Sequence, residues 1–166
     1  MINEKNTKII IYIALVLLVL ALDRISKTII LNILEDDGKV DIYINSFFSL
    51  FLVWNKGIGF GLFSFDSGLI YNLISTIIGL INLLIIYLII NTKNINRYFL
   101  LIILGGSLGN FFDRIYYSAV PDFIDIHIGD FHWFIFNIAD VFISIGIICL
   151  IFVEIFSKNI NKGRDE

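Results

Sequence analysis

Four long apolar runs dominate the chain, and each predicts a helix that crosses a membrane. Residues 69–90 carry no charge and residues 134–156 carry only two, so either run can cross a hydrocarbon core of ~30 Å as a helix of ~20 residues. The runs 9–22 and 98–112 reach that length only if their helices continue through charged residues. Charges inside a span are costly and therefore mark candidate functional positions. The predicted spans are about 9–34, 68–90, 98–116 and 134–156.

Two longer polar segments separate these spans, about residues 35–67 and 117–133. In the first, Val40, Ile42 and Ile44 alternate with polar residues, which is typical of a half-buried strand. The stretch that follows is rich in glycine and aromatic residues, which suit tight turns and the lipid interface. We expect it either to close over a substrate or to anchor the protein. The predicted fold class is an all-α membrane protein with four transmembrane helices and a small β-sheet and loop on the outer membrane surface.

Composition and charge agree with a single polytopic domain over residues 1–166. Hydrophobic residues make up 58% of the chain and charged residues 16%, too apolar for a soluble domain. The net charge of −3 gives no reason to expect a nucleic-acid partner. Seven lysines and arginines fall on the side of the two termini and five on the other. The positive-inside tendency therefore predicts that both termini are cytoplasmic.

Helix geometry places two carboxylates at a similar depth. Asp113 lies 15 residues above Tyr98, or ~23 Å at 1.5 Å per residue, which is ~7 Å below the outer boundary. Asp140 lies six residues below Phe134, or ~9 Å down. Asn110 precedes Asp113 by three positions, as Asn137 precedes Asp140. The two aspartates are therefore predicted to meet near the outer face.

Polar residues also recur at helical spacing in these two spans. Such stripes turn inward in a membrane bundle, where ionisable residues are functional by default. Gly105 and Gly109 have the spacing that lets another helix come close. The stripes comprise Ser107, Asn110 and Arg114 in the third span, and Asn137, Asp140 and Ser144 in the fourth.

Asp23 and Lys27 add charges at the same level of the first span. Asp followed by Lys four residues later is the favoured order for an ion pair on a helix. We expect a structural pair, with contact between Lys27 and substrate or a lipid headgroup as the alternative.

Two carboxylates in one apolar site would share a proton, and the pair could then act as acid and base towards water and a peptide, as in aspartic proteases. Two other classes remain open at this point: a proton- or cation-coupled transporter and a structural or assembly subunit. His127 and His132 lie among several aspartates, but their spacing matches no tight ligand signature, so no metal and no cofactor is expected.

Five short motifs in order resemble the lipoprotein signal peptidases (signal peptidase II) over nearly the whole chain. They are DRISK at 23–27, NKGIGFG at 55–61, GGSLGNFFDR at 105–114, VPDF at 120–123 and FNIAD at 136–140. The resemblance implies a membrane aspartyl peptidase that cuts diacylglyceryl-modified prolipoproteins before the lipid-modified cysteine and is inhibited by globomycin.

The resemblance also implies where the site lies. It gives a catalytic pair at Asp113 and Asp140, with Asn55, Gly57, Asn110, Arg114 and Asn137 around it to bind substrate or hold the oxyanion. The enzyme would lie in the bacterial cytoplasmic (inner) membrane, with its active site near the outer face. Its partners would be prolipoproteins and membrane lipids, and a monomer would suffice. The chain departs from the residues that the family often has at three positions, Ile58, Gly59 and Phe134. These departures concern the local shape of the outer sheet and the entry to the fourth helix.

Overall fold

The computed structural model describes residues 4–57 and 68–162, which form four helices and one four-stranded sheet. Within this part of the chain, all four helices are long and apolar enough to cross a membrane. The predicted fold class is thereby confirmed. The elements are α1 (Glu4–Asp37), β1 (Asp41–Asn45), β2 (Phe48–Asn55), α2 (Gly68–Asn91), α3 (Asn96–Tyr117), β3 (Val120–Ile128), β4 (Phe131–Phe136) and α4 (Ile138–Lys162).

Helix α3 lies at the centre of the bundle and packs against each of the other three helices. Its buried Leu100, Ile103 and Leu104 form an apolar cluster with Ile85 of α2. Most apolar side chains of the other helices are exposed, as expected for surfaces that face lipid rather than water. The polar residues of α3 therefore lie where three helices can surround them.

Glycines of α3 permit this close packing. A Cβ at Gly105 would lie 2.7 Å from the Cβ of Val19, and Gly109 faces Asp23, so both contact α1 as their spacing predicted. Gly106 instead faces α4, where a Cβ would lie 2.6 Å from the carbonyl oxygen of Ala139.

Gly106→Ala is therefore expected to force α3 and α4 apart and to destabilise the fold by about 1–3 kcal/mol. Thermal unfolding in detergent measures the effect. Gly68→Ala is the matched control, because a Cβ there would meet no described atom within 4 Å. Equal midpoints for the two variants would contradict this account of the α3–α4 contact.

The sheet is antiparallel throughout, in the order β1-β2-β3-β4. Both polar segments contribute to it, whereas the sequence pattern had predicted a strand only in the first. Pro121 is tolerated in β3 because β4 pairs with β3 only from Ile124 onwards, so no described strand lies beside Pro121 on that side. Gly129, with φ of +59°, makes the turn into β4.

The start of the fourth span differs from the prediction. Residues 131–136 form β4, and α4 begins only at Ile138. Asp140 therefore lies in the first turn of α4 rather than two turns into it. The predicted role of the glycine-rich loop concerns residues 58–67, which lie outside the described residues.

A carboxylate pair as the candidate active site

The sheet and the helices converge where α3 ends and α4 begins. After Ser118, which adopts the left-handed conformation at φ 57°, the chain turns from α3 directly into β3. In the register of the sheet, Asn55 at the end of β2 pairs with Val120 at the start of β3. Asp122 of β3 and Asp140 of α4 line the same cavity at this junction.

Asp122 is buried and held by two amides. Asn55 Nδ2 donates to Asp122 Oδ2 at 2.9 Å, and Asn137 Nδ2 donates to Oδ1 at 2.6 Å. Burial, with the nearby charge of Asp140 as the second cause, raises the pKa of Asp122 to about 7, although the two amide bonds act in the opposite direction. Asp122 therefore exchanges a proton near neutral pH.

Asp140 is only partly buried and accepts N–H bonds on both oxygens. Asn110 Nδ2 donates to Asp140 Oδ1 at 2.7 Å, and the main-chain N–H of Asn137 donates to Oδ2 at 3.2 Å. Two N–H donors aimed at one carboxylate suit its ionised form.

Main-chain groups orient two of the amides. Gly57 N donates to Asn55 Oδ1 at 2.8 Å, and Asp140 N donates to Asn137 Oδ1 at 3.1 Å. With their oxygens occupied, both asparagines must present their NH₂ groups to Asp122. The site is therefore ordered by the backbone around it.

Arg114 closes one side of the cavity. Only 5% of this residue is exposed, and its Nη atoms donate to the main-chain carbonyls of Asn110, at 3.2 Å, and Gly57, at 3.0 Å. Its Nε has no hydrogen-bond partner among the described residues. The guanidinium thus braces α3 against the residues that follow β2.

The cavity has a volume of about 280 Å³. Isoleucines of α2 and α4 form its apolar walls. A second, mostly apolar groove of about 270 Å³ reaches Asp140 from the side of Trp133, Phe136 and Ile145. The polar lining of the main cavity comprises Asn55, Ser107, Asn110, Arg114, Asp122, Asp140 and Ser144.

Asp113 does not line this cavity, and this corrects its predicted pairing with Asp140. Its carboxylate is fully buried against α1, with Lys27 Nζ 2.7 Å from Oδ2 and Arg24 Nη2 2.5 Å from Oδ1. The reason is angular. At 100° per residue, Arg114 lies within 40° of Asn110 on the cavity side, whereas Asp113 lies 60° the other way, towards α1.

Asp23 and Lys27 form the ion pair that their spacing predicted, with Lys27 Nζ 2.8 Å from Asp23 Oδ1. Neither residue has any exposed surface, which leaves Lys27 no contact with lipid headgroups in this structure. Asp23 also accepts the main-chain N–H of Ala139 at 3.1 Å and so ties α1 to the first turn of α4.

Asp122 is the functional candidate that sequence reasoning left unassigned. It lies in the VPDF motif but in a loop between spans, where depth in the membrane gives no information. A signal was available, because an acidic residue enclosed by Val120, Pro121 and Phe123 indicates a buried carboxylate that must have partners.

Within residues 4–57 and 68–162, one group outside the cavity has side chains of the types that ligate metals. Asp125, His127 and His132, on the β3–β4 hairpin, place ligand-type atoms within 4.8 Å of one another. His132 Nδ1 lies 2.9 Å from Asp125 Oδ2, a distance that a direct hydrogen bond explains. The contact joins the two strands of the hairpin that carries Asp122.

Known proteins resemble this chain along most of its length. The family model described as signal peptidase (SPase) II matches residues 15–156. A lipoprotein signal peptidase of Pelagibacter ubique is 53% identical, over 95% of this chain and 94% of the relative. One from Francisella tularensis subsp. novicida is 41% identical, over 89% and 92%. A bacterial membrane enzyme solved by the in meso method superposes with a TM-score of 0.69 at 25% identity, over 91% of this chain and 90% of that one.

Proposed function

Because the chain belongs to the signal peptidase II family, whose members remove signal peptides from lipoproteins, we propose that it does so as an aspartyl endopeptidase with Asp122 and Asp140 as its catalytic pair. The family is one of peptidases, so the transporter and assembly-subunit alternatives are set aside. The single observation that carries the proposal is the cavity lined by both carboxylates. The pKa of Asp122, which burial raises to about 7, agrees with it.

The roles of the two aspartates follow from their burial, because Asp122 is 2% exposed and Asp140 is only partly buried. Asp140, ionised between two N–H donors, takes a proton from a water molecule, whose oxygen attacks the scissile carbonyl. Asp122, protonated, supplies a proton to the carbonyl oxygen. The C–N bond then breaks as the leaving amine takes up the proton that Asp140 had removed from water. The hydroxyl formed from the carbonyl oxygen returns its proton to Asp122 as the new carboxyl group forms. No covalent intermediate forms between enzyme and substrate.

Arg114 and the apolar groove supply the remaining parts. Arg114 lines the cavity, and the positive charge of its guanidinium stabilises the developing oxyanion. The groove beside Trp133, Phe136 and Ile145 suits a hydrocarbon chain of the diacylglyceryl-modified substrate, since its lining is mostly apolar and it reaches Asp140. Cleavage before the lipid-modified cysteine places the scissile bond between these two spaces.

The topology of the proposal places the site at the outer face of the inner membrane. The four apolar helices fit a multi-pass inner-membrane protein. With both termini cytoplasmic, Lys93 in the α2–α3 turn and Arg97 at the start of α3 face the cytoplasm, and the sheet lies outside. One chain supplies both carboxylates, so the proposed active form is a monomer.

The first experiment compares two substrates of purified protein in detergent: a diacylglyceryl-modified prolipoprotein and the same precursor without lipid. Efficient cleavage of the lipidated precursor alone, unchanged by a chelator, is expected. Equal cleavage of both precursors would remove the proposed role of the groove, and loss of cleavage with chelator would contradict a metal-free aspartate pair.

The basic limb of kcat/KM against pH is expected in the region of pH 7, because Asp122 must be protonated and its pKa is raised to about 7. Asn55→Leu removes one N–H donor from the ionised form of Asp122, which raises the pKa further and moves this limb upwards by about one unit.

Initial rates from pH 5 to 9 measure the basic limb of the wild type and that of Asn55→Leu. Lys39→Met is a control for the assay, since Lys39 is exposed and lies outside the site. A basic limb that moves downwards in Asn55→Leu would contradict the assignment of the acid to Asp122.

A further inference from the structure

Lys27 is a fully buried ammonium between α1 and α3, and its hydrogen-bond capacity is completely used. Its Nζ lies 2.9 Å from Asp23 Oδ2, 2.8 Å from Asn110 Oδ1 and 2.7 Å from Asp113 Oδ2. An ammonium group has three N–H donors and no acceptor. All three donors therefore have an oxygen partner.

This geometry leaves Asn110 one orientation. Because Lys27 can only donate, the atom of Asn110 that faces it must be Oδ1, and the NH₂ group must then point the other way. It does so towards Asp140, with Nδ2 2.7 Å from Oδ1. A reversed amide would set its oxygen against the carboxylate oxygen, an arrangement that is favourable only when Asp140 carries a proton there.

We propose that Lys27 is a positioning residue that acts through Asn110 to keep Asp140 ionised, and thereby decides which aspartate is the base and which is the acid. The inference rests on the proposed function above. Asp122 takes the proton because it is the more deeply buried of the two, with 2% of its surface exposed. Asp140 is partly exposed, and its donor from Asn110 is enforced by a buried cation.

Lys27 is the right residue to test because a side chain, and not the backbone, sets the amide of Asn110. The main-chain N–H groups of Gly57 and Asp140, which orient Asn55 and Asn137, cannot be removed by substitution of a side chain. The groups that face Asp140 from the surrounding elements are Lys27 of α1, Arg114 of α3 and Asp122 of β3, while Tyr71 of α2 bonds the carbonyl of Arg114.

Two double variants separate the orientation of the Asn110 amide from the charge of the cluster formed by Asp23, Arg24, Lys27 and Asp113. Lys27→Met with Asp23→Asn removes one positive and one negative charge together with the bond to Asn110. Arg24→Met with Asp23→Asn removes the same charges from the same cluster and leaves Lys27 on Asn110. Asparagine at position 23 keeps an oxygen for Ala139 N. Both kcat, normalised to folded protein, and KM are measured from pH 5 to 9 with the lipidated precursor.

The acid limb of kcat is the rise in rate with pH that follows ionisation of Asp140. Lys27→Met with Asp23→Asn is expected to move this limb to higher pH by about one to two units, because the ionised form of Asp140 loses the enforced hydrogen bond from Asn110. Its kcat at pH 8 and its KM should stay within about threefold of the wild type, because the substrate contacts are unchanged. The second variant should keep the wild-type limb. If methionine at position 27 prevents folding, Lys27→Gln with Asp23→Asn, whose amide can accept as well as donate, is expected to give the same shift.

Each remaining outcome is decisive. An unmoved acid limb in the Lys27 variant overturns the inference, and so does an equal shift in both variants, which would reflect the cluster charge alone. Asp122→Asn and Asp140→Asn are measured in the same assay. If they stay active, the aspartyl mechanism itself is wrong; if they are inactive while the Lys27 variant keeps the wild-type limb, only the role of Lys27 is wrong.

Discussion

Replacing either Asp122 or Asp140 by asparagine is expected to lower kcat by about 10²–10⁴-fold, the usual contribution of a positioned acid or base. Asparagine keeps the size of the side chain and fits the cavity, but it can neither take a proton from water nor supply one. The measurement is turnover of a lipidated precursor by purified variants at saturating substrate. Loss of kcat with little change in KM identifies groups that act on the reaction rather than on binding.

Thermal unfolding supplies the control, because Asp122→Asn should be inactive and yet more stable at alkaline pH. The pKa of Asp122 is raised from 3.8 to about 7 by folding, so the wild type loses stability as the pH rises from about 4 through 7. Asparagine carries no charge and avoids that loss. About 1–3 kcal/mol of gain at pH 8 remains after one amide donor loses its acceptor. Below about pH 4 the wild-type carboxyl is protonated in both states, so the lost acceptor alone should make Asp122→Asn less stable than the wild type by about 1–3 kcal/mol.

An active Asp122→Asn would remove Asp122 from the catalytic pair. An inactive variant that also unfolds at lower temperature at pH 8 would point instead to a structural role for this carboxylate.

Asp113→Asn is expected to behave in the opposite way, with a large loss of stability and little loss of turnover per folded molecule. Asp113 balances the buried Lys27 and the partly buried Arg24. Breaking a buried ion pair by removing one partner costs about 3–5 kcal/mol, because the other charge stays buried without compensation. The measurements are the unfolding midpoint in detergent and kcat normalised to folded protein, which should stay within about tenfold of the wild type.

Asp41→Asn is the matched control for this loss. Asp41 is exposed and lies 3.9 Å from Lys39, and such surface pairs contribute about 0–1 kcal/mol. If Asp113→Asn folded as stably as the wild type and had lost its turnover, the catalytic pair would be Asp113 and Asp140, as the sequence motifs alone implied.

The secondary structure could be predicted from sequence wherever local pattern decides it. Four apolar runs determine four helices, because lipid requires every backbone group in a span to be paired within that span. The stripes of α3 and α4 were also predictable, since helical periodicity alone places Ser107, Asn110 and Arg114 on one face. All three line the cavity, as do Asp140 and Ser144.

The strands of the second loop were less accessible to this reasoning. Ile124, Ile126 and Ile128 alternate with Asp125 and His127 much as apolar and polar residues alternate in β1. Pro121, however, is typical of a turn and argues against a strand at this point of the sequence. Proline is acceptable there only because β4 is too short to reach it. The extent of a neighbouring strand is a tertiary property.

The sequence by itself therefore determined the family motifs, the four helices, the Asp23–Lys27 pair and the polar faces that meet at the cavity. Only the tertiary structure decided which aspartate lines the cavity with Asp140. Asp113 binds two cations of α1, Arg24 and Lys27, although Lys27 lies 86 positions away along the chain. The β2–β3 register brings Asp122 into the cavity. Depth and spacing locate a side chain along its own helix, whereas its partner depends on charges and strands far away in sequence, which local periodicity does not encode.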